Sequence, residues 1–216
     1  MVKIDQSWIA KIKQLTDGSL DDQKEACNLM SEKIRRCYYI DASVIVELLP
    51  IIVKFMESED SSLQQGSLYF IDVITSTSNS NETTKENTKR AIKAGVLPPL
   101  VKLLSSTKSE VSKSCLICIF NITFYFSSEV VTNDALPSLI KCLKSTIAVD
   151  CIRNILNESR QYIPLIVKAN GVPALIENLK SVSDSSCEEC LSILTIIAAF
   201  NIETCQIVLN HGILIP

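Results

Sequence analysis

The sequence predicts an all-α chain built as a solenoid of stacked three-helix units. Three observations carry that expectation. Gly (5) and Pro (7) are scarce in 216 residues, of which 47% are apolar; that is ample material for a core, with little of the turn chemistry a sheet protein needs. A Pro-anchored segment recurs as "AGVLPPLVKLL" (94–104), "NDALPSLIKCL" (133–143) and "ANGVPALIENL" (169–179). Each copy is followed by a polar break and a longer apolar stretch, so that about 40 residues hold three helices, the period of a helical solenoid.

Taken in order, "SWIAKIKQL" (7–15) is a first copy without its Pro, and "VELLPIIVKFM" (46–56) is a second. The anchoring prolines are Pro50, Pro98, Pro137 and Pro173, at intervals of 48, 39 and 36 residues. In each copy Gly or Asp/Asn ends one helix, because these residues take the left-handed cap at low cost. Pro then sits in the first turn of the next helix, where its missing N–H costs nothing. The Leu and Ile that follow recur at i, i+3 and i+4, a helical stripe. The breaks "TDGSLDD", "ESEDSS", "SSTKSE" and "VSDSS" lead into the long helices "QKEACNLMSEKI", "LQQGSLYFIDVIT", "VSKSCLICIFNIT" and "CEECLSILTIIAA". Shorter helices, "ENTKRAIKAG", "SEVVTNDA", "YIPLIVKANG" and "ETCQIVLNHG", close the units. The polar segment "TSTSNSNETTKEN" (75–87) reads as a mobile loop. The fourth unit is short, with 17 residues from Pro137 to Asn154 against 23 from Pro98 to Asn121.

The segment "AGVLPPLVKLLSSTKSEVSKSCLICIFNIT" (94–123) resembles the armadillo repeat, through its Gly-x-apolar-Pro-x-Leu-Val-x-Leu-Leu opening and its later Asn. "LTDGSLDDQKEACNLMSEKI" (15–34) is similar to the opening repeat of armadillo domains in plant-type U-box proteins, and the array is similar more distantly to importin-α. The resemblance implies a right-handed armadillo-repeat α-solenoid, a superhelix of about five units at approximately 7–41, 42–94, 95–134, 135–170 and 171–211, with 212–216 opening a further one. The apolar end "LNHGILIP" suggests a fragment of a longer array, or a chain that dimerises through this end.

Armadillo long helices line a concave groove, and residues four apart share one face of each. The resemblance to importin-α implies a gripping Asn, with a wall residue four before it that is Trp in that family. The Asn position reads Glu32, Asp72, Asn121, Asn154 and Ile196, and the wall position reads Asn28, Leu68, Ile117, Asp150 and Ser192. These ten residues are the candidate partner-binding groove. No Trp stands at a wall position, and a carboxylate cannot donate to a peptide carbonyl as Asn can. Glu32 and Asp72 bias the N-terminal half of the groove towards a basic or amide-rich partner. The aromatics of "RRCYYI" (35–40) and "TFYF" (123–126) read as packing residues that would serve as hot spots wherever they are exposed.

The nine cysteines include two C-x-x-C pairs, Cys115/Cys118 and Cys187/Cys190. Six residues before each Asn position stand Ala26, Gly66, Cys115, Ala148 and Cys190, all small. This is the slot where long helices cross closely, and Cys fits there as a small hydrophobe. The pairs are out of register with each other, and the single His211 lies near neither. A core role is therefore expected over a metal or redox role, and no cofactor is expected.

The net charge of −3, with no run of Lys/Arg longer than a pair, argues against nucleic acid as a partner. The N-terminus lacks an apolar h-region, and the longest apolar run (193–200) is too short to span a bilayer. The expected compartment is reducing: the cytoplasm, with the nucleus also open to it. No enzyme constellation is visible. The reading is a non-catalytic scaffold or adaptor for a protein or peptide. The alternatives are the substrate-binding arm of a U-box-type ubiquitin ligase, an importin-α-like transport adaptor, and a thiol redox or metal sensor.

Overall fold

A computed structural model describes residues 6–36, 40–77, 82–180 and 184–212, with the backbone alone for 184–186. Among the described residues every regular element is helical: α1 (Gln6–Thr16), α2 (Leu20–Arg36), α3 (Ala42–Met56), α4 (Ser61–Thr75), α5 (Glu82–Lys93), α6 (Leu97–Leu103), α7 (Ser109–Thr132), α8 (Leu136–Lys141), α9 (Thr146–Glu158), α10 (Ile163–Lys168), α11 (Gly171–Leu179), α12 (Asp184–Ala198) and α13 (Ile202–Asn210), with a 3₁₀ turn at Arg160–Tyr162. The chain forms two compact units, Met1–Asn121 and Ile122–Pro216, and the boundary falls inside α7.

The polar breaks do the capping work their composition implies. Asp60 accepts hydrogen bonds from the Ser62 and Leu63 N–H groups at the start of α4. Ser19 and Asp22 bond each other reciprocally before α2, and Asn201 and Thr204 form a capping box on α13. The left-handed stops also fall where the repeat puts them. Gly95, Asp134, Asn170 and Gly212 have φ of 87°, 57°, 62° and 88°. At Gly95 its own N–H bonds the Ile92 carbonyl and the Val96 N–H reaches back to Ala91, which closes α5; Asp134 and Ala135 repeat the pair on Val131 and Val130. Pro98, Pro137 and Pro173 then stand in the first turns of α6, α8 and α11.

Pro50 departs from the pattern: it lies inside α3, which runs unbroken from Ala42 to Met56. The cause is local. Three residues before the other prolines stand Gly95, Asp134 and Asn170, but three before Pro50 stands Glu47, which cannot take the left-handed cap cheaply. The helix therefore continues through the proline. Pro50 has no N–H for the Val46 carbonyl, and Val46 is 54% exposed, so water can serve that carbonyl.

The predicted loop at 75–87 also needs correction, since Glu82–Asn87 is already helix in α5. Thr84 and Asn87 are buried there, so the stretch packs instead of moving freely. The segment "SEVVTNDA" continues α7 beyond a break at Phe126, where φ/ψ is −142°/54°. In the short fourth segment α8 has 6 residues and α9 has 13.

In the first unit α2 packs on α1 and α4, and α3 packs on α4, α5 and α6. Ile12, Met30, Ile45, Leu48, Phe55 and Phe70 fill its interior. In the second unit α12 packs on α9, α11 and α13 around Ile152, Ile155, Leu175, Ile193 and Ile197. The small-residue slot is buried in both: Ala26, Cys115, Ala148 and Cys190 are 0% exposed. A Cβ built on Gly66 would collide with the Cys27 Sγ, so glycine there permits α2 and α4 to meet.

Two outcomes test this packing. Pro50→Ala restores the hydrogen bond to Val46 and raises unfolding stability, by at most about 3 kcal/mol in urea denaturation. Gly66→Ala lowers stability by about 1–3 kcal/mol, and adding Cys27→Ala recovers part of that loss, because the collision is with that sulfur.

Candidate functional site

The first unit holds a groove of about 770 Å³ bounded by long helices α2 and α4 and by the start of α7. Residues four apart on α2 and α4 project into it: Ser31 and Arg35, and Gln65 and Tyr69. Lys108 and Glu110 face them from the head of α7, and Cys27 and Gly66 lie among the lining residues. The Arg35 guanidinium stands over the Tyr69 ring, 5.8 Å from its centroid. Gln65 accepts from Ser114 Oγ at 3.1 Å through Oε1, while its buried Nε2 has no partner among the described residues.

Of the predicted groove residues in this unit, Asn28 lines the opening. Leu68 is fully buried, and its carbonyl accepts from Cys118 Sγ at 3.3 Å; it belongs to the core. Ile117 is 38% exposed. Glu32 is exposed and paired with Arg36 at 2.6 Å. Asn121 is buried, and its amide donates to Asp72 Oδ1 at 2.9 Å. The two ladder residues of neighbouring long helices thus bond each other. Burial pushes the Asp72 carboxyl above the ordinary range, and the Asn121 donation offsets part of that rise. The two carboxylates that argued for a basic partner are therefore already engaged within the protein.

In the second unit Asp150, Asn154, Ser192 and Ile196 lie on α9 and α12. Asn154 donates to Thr123 Oγ1 at 3.3 Å. Arg153, three residues after Asp150, bridges the two helices: one guanidinium nitrogen is 2.6 Å from Asp150 and another 2.8 Å from Glu189. Asp150 is pushed up by burial, against the pull of Arg153. Ser192 is exposed and Ile196 half-buried. Phe124 is 51% exposed and stacks edge-on against Tyr125, so this member of "TFYF" is open to contact. In "RRCYYI", Cys37, Tyr38 and Tyr39 lie outside the described residues, as do Ile213–Pro216 at the chain end.

The cysteines pack. Cys115 Sγ donates to the Leu100 carbonyl at 2.8 Å, and both Cys115 and Cys118 are fully buried. Burial pushes the Cys27 thiol to about 11 and Cys151 to about 12, and raises Cys118 and Cys190 as well. These shifts run opposite to those of a reactive thiolate. Among the described residues with described side chains, no three His, Cys, Asp or Glu converge as metal ligands. Helix α7 is long and apolar enough to cross a membrane by length and composition, which the run at 193–200 is not; more than half of that stretch is buried inside the protein, as in a core helix.

The armadillo/β-catenin-like repeat family matches residues 84–124 and 159–199. Each match takes in a short helix, a Pro-led helix and a long one. Among solved structures, the chain is similar to computationally designed armadillo repeat proteins for modular peptide recognition (TM-score 0.76, 23% identity, covering 95% of this chain and 88% of that one). It is likewise similar to a designed armadillo repeat protein (TM-score 0.73, 24% identity, 95% and 88% covered). A third similar structure is a designed armadillo repeat protein in complex with the peptide (KR)4 (TM-score 0.73, 24% identity, 96% and 88% covered). No curated protein matches the chain. The helix order, the cap positions and these likenesses give the chain the all-α fold of armadillo-repeat proteins.

Two measurements follow from the site. Because burial raises the folded pKa of Asp72, its charged form weakens the fold as pH climbs through the carboxylate range. Asp72→Asn, which keeps an acceptor for Asn121, flattens that fall in chemical-denaturation curves taken across acid to neutral pH. In native protein at neutral pH, Cys27, Cys115, Cys118, Cys151 and Cys190 resist a thiol reagent and react on unfolding, and the zinc content is below stoichiometric. A fast native reaction at any of the five would contradict the packing role.

Proposed function

We propose that the chain is a non-catalytic protein-interaction scaffold that holds an extended peptide segment across its long helices, in a reducing compartment of the cell. The observation that carries this reading is the groove on α2, α4 and the head of α7. It combines an aromatic face with a guanidinium stacked on it, which are peptide-gripping groups on rigid helices. Support also comes from the designed armadillo protein with its bound peptide, which has the same fold. Asp72 and Asn121 serve such a site by bonding each other beneath the surface and tying α4 to α7.

The importin-α-like adaptor is the second reading, favoured by the basic peptide in that complex. The U-box ligase arm is the same binding function joined to a catalytic partner domain.

Selection of peptides from a random-sequence display library on the purified chain tests the proposal. The expected outcome is a family of binders sharing a motif, with affinity reduced about tenfold or more by Tyr69→Ala, the loss typical of a central aromatic contact. Absence of any selected peptide, or binders indifferent to Tyr69→Ala and Gln65→Ala, would refute the groove as the binding surface.

A further inference from the structure

We propose that the first-unit groove selects an acidic segment, a carboxylate-bearing extended peptide whose side chains reach Arg35 and Lys108. The proposal rests on the peptide-binding reading and adds the sign of the partner's charge, opposite to the one the ladder carboxylates suggested.

The charge balance is the first argument. Three ionisable groups lining the groove carry its charge: Arg35, Lys108 and Glu110. Arg35 faces the Tyr69 ring, and no carboxylate among the described residues pairs with it. The Lys108 ammonium donates to the Glu59 carbonyl at 3.1 Å, a neutral acceptor that leaves its charge uncompensated. Glu110 lies 3.5 Å from Lys113, so its charge is shared with another cation. Of the carboxylates nearby, Glu32 is paired with Arg36 at 2.6 Å, Asp60 with Lys24 at 2.8 Å and with the α4 N-terminus, and Asp72 with Asn121, while Glu59 is exposed to water and does not line the groove. The unspent charge facing the groove is positive.

Gln65 is the second argument. With its oxygen accepting from Ser114, its nitrogen is a buried donor without an acceptor. Rotation of the half-buried Gln65 side chain towards the groove would bring that nitrogen to a peptide carbonyl or carboxylate. The groove's volume of about 770 Å³ is in the range that holds several residues of an extended chain. Arg35 presents a flat fork suited to a carboxylate, and stacking on Tyr69 holds that fork in place without neutralising it.

Fluorescence polarisation of the full chain against three labelled peptides, (DE)4, (KR)4 and (GS)4, decides the matter. The expected order is (DE)4 tightest, with affinity falling as salt rises. Arg35→Glu and Lys108→Glu each weaken (DE)4 about tenfold, and Glu110→Gln strengthens it. Circular dichroism melts confirm that the variants fold, and Glu110→Gln gives a gain that a misfolded protein cannot. Tighter binding of (KR)4 or (GS)4, or indifference of (DE)4 to all three variants, overturns the acidic preference alone. Binding of none of the three, together with an empty library selection, removes the peptide-binding reading itself.

Discussion

The close meeting of the long helices is the contact on which the first unit depends. Gly66 on α4 lies against Cys27 on α2 so tightly that no Cβ fits between them. That approach brings the two helices together, and the same pair is among the residues lining the groove. A larger side chain at either position would push α2 and α4 apart and shift Ser31, Arg35, Gln65 and Tyr69 relative to one another. One cysteine of each C-x-x-C pair belongs to the same logic. Cys115 and Cys190 occupy the equivalent slots on α7 and α12 and are fully buried, and a thiol there works as a compact apolar group with a weak donor.

Several polar side chains in this protein end helices or tie them together. Asp134 and Asn170 accept left-handed backbone so that α7 and α10 can stop. Asp60 and Asn201 receive the free N–H groups of α4 and α13. Arg153 joins α9 to α12 through two carboxylates, and Asn121 joins α7 to α4 through Asp72. Residues that a register argument assigns to a partner are thereby drawn into the fold. The groove of the first unit keeps a guanidinium on a tyrosine ring and an ammonium on a carbonyl among its lining groups.

The difference between Pro50 and its counterparts shows how local the start-and-stop signals are. Pro98, Pro137 and Pro173 open helices because a residue tolerant of positive φ precedes each of them by three positions; Glu47 in that place lets α3 run on. That distinction can be read from the residues at Pro−3, although the repeat pattern alone hides it. The helical start at Glu82 is less legible. Glu82–Asn87 has polar composition throughout, and only burial of Thr84 and Asn87 against the unit explains its order.

By itself the sequence determined the all-α class, the positions of most helix stops and the small-residue slots, because each depends on a side chain acting on its own backbone or on a recurring volume limit. Only the tertiary structure decided which face of each long helix stays open. A 3.6-residue period marks an apolar stripe but not its edge, so Leu68 and Tyr69, adjacent in the chain, end up one in the core and one in the groove. Nor does the chain announce that Asp72 meets an amide 49 residues away, or that Glu32 meets Arg36 one turn on in place of a partner. Charge is written in the sequence, but whether it is already compensated depends on distances that exist only once the helices have packed.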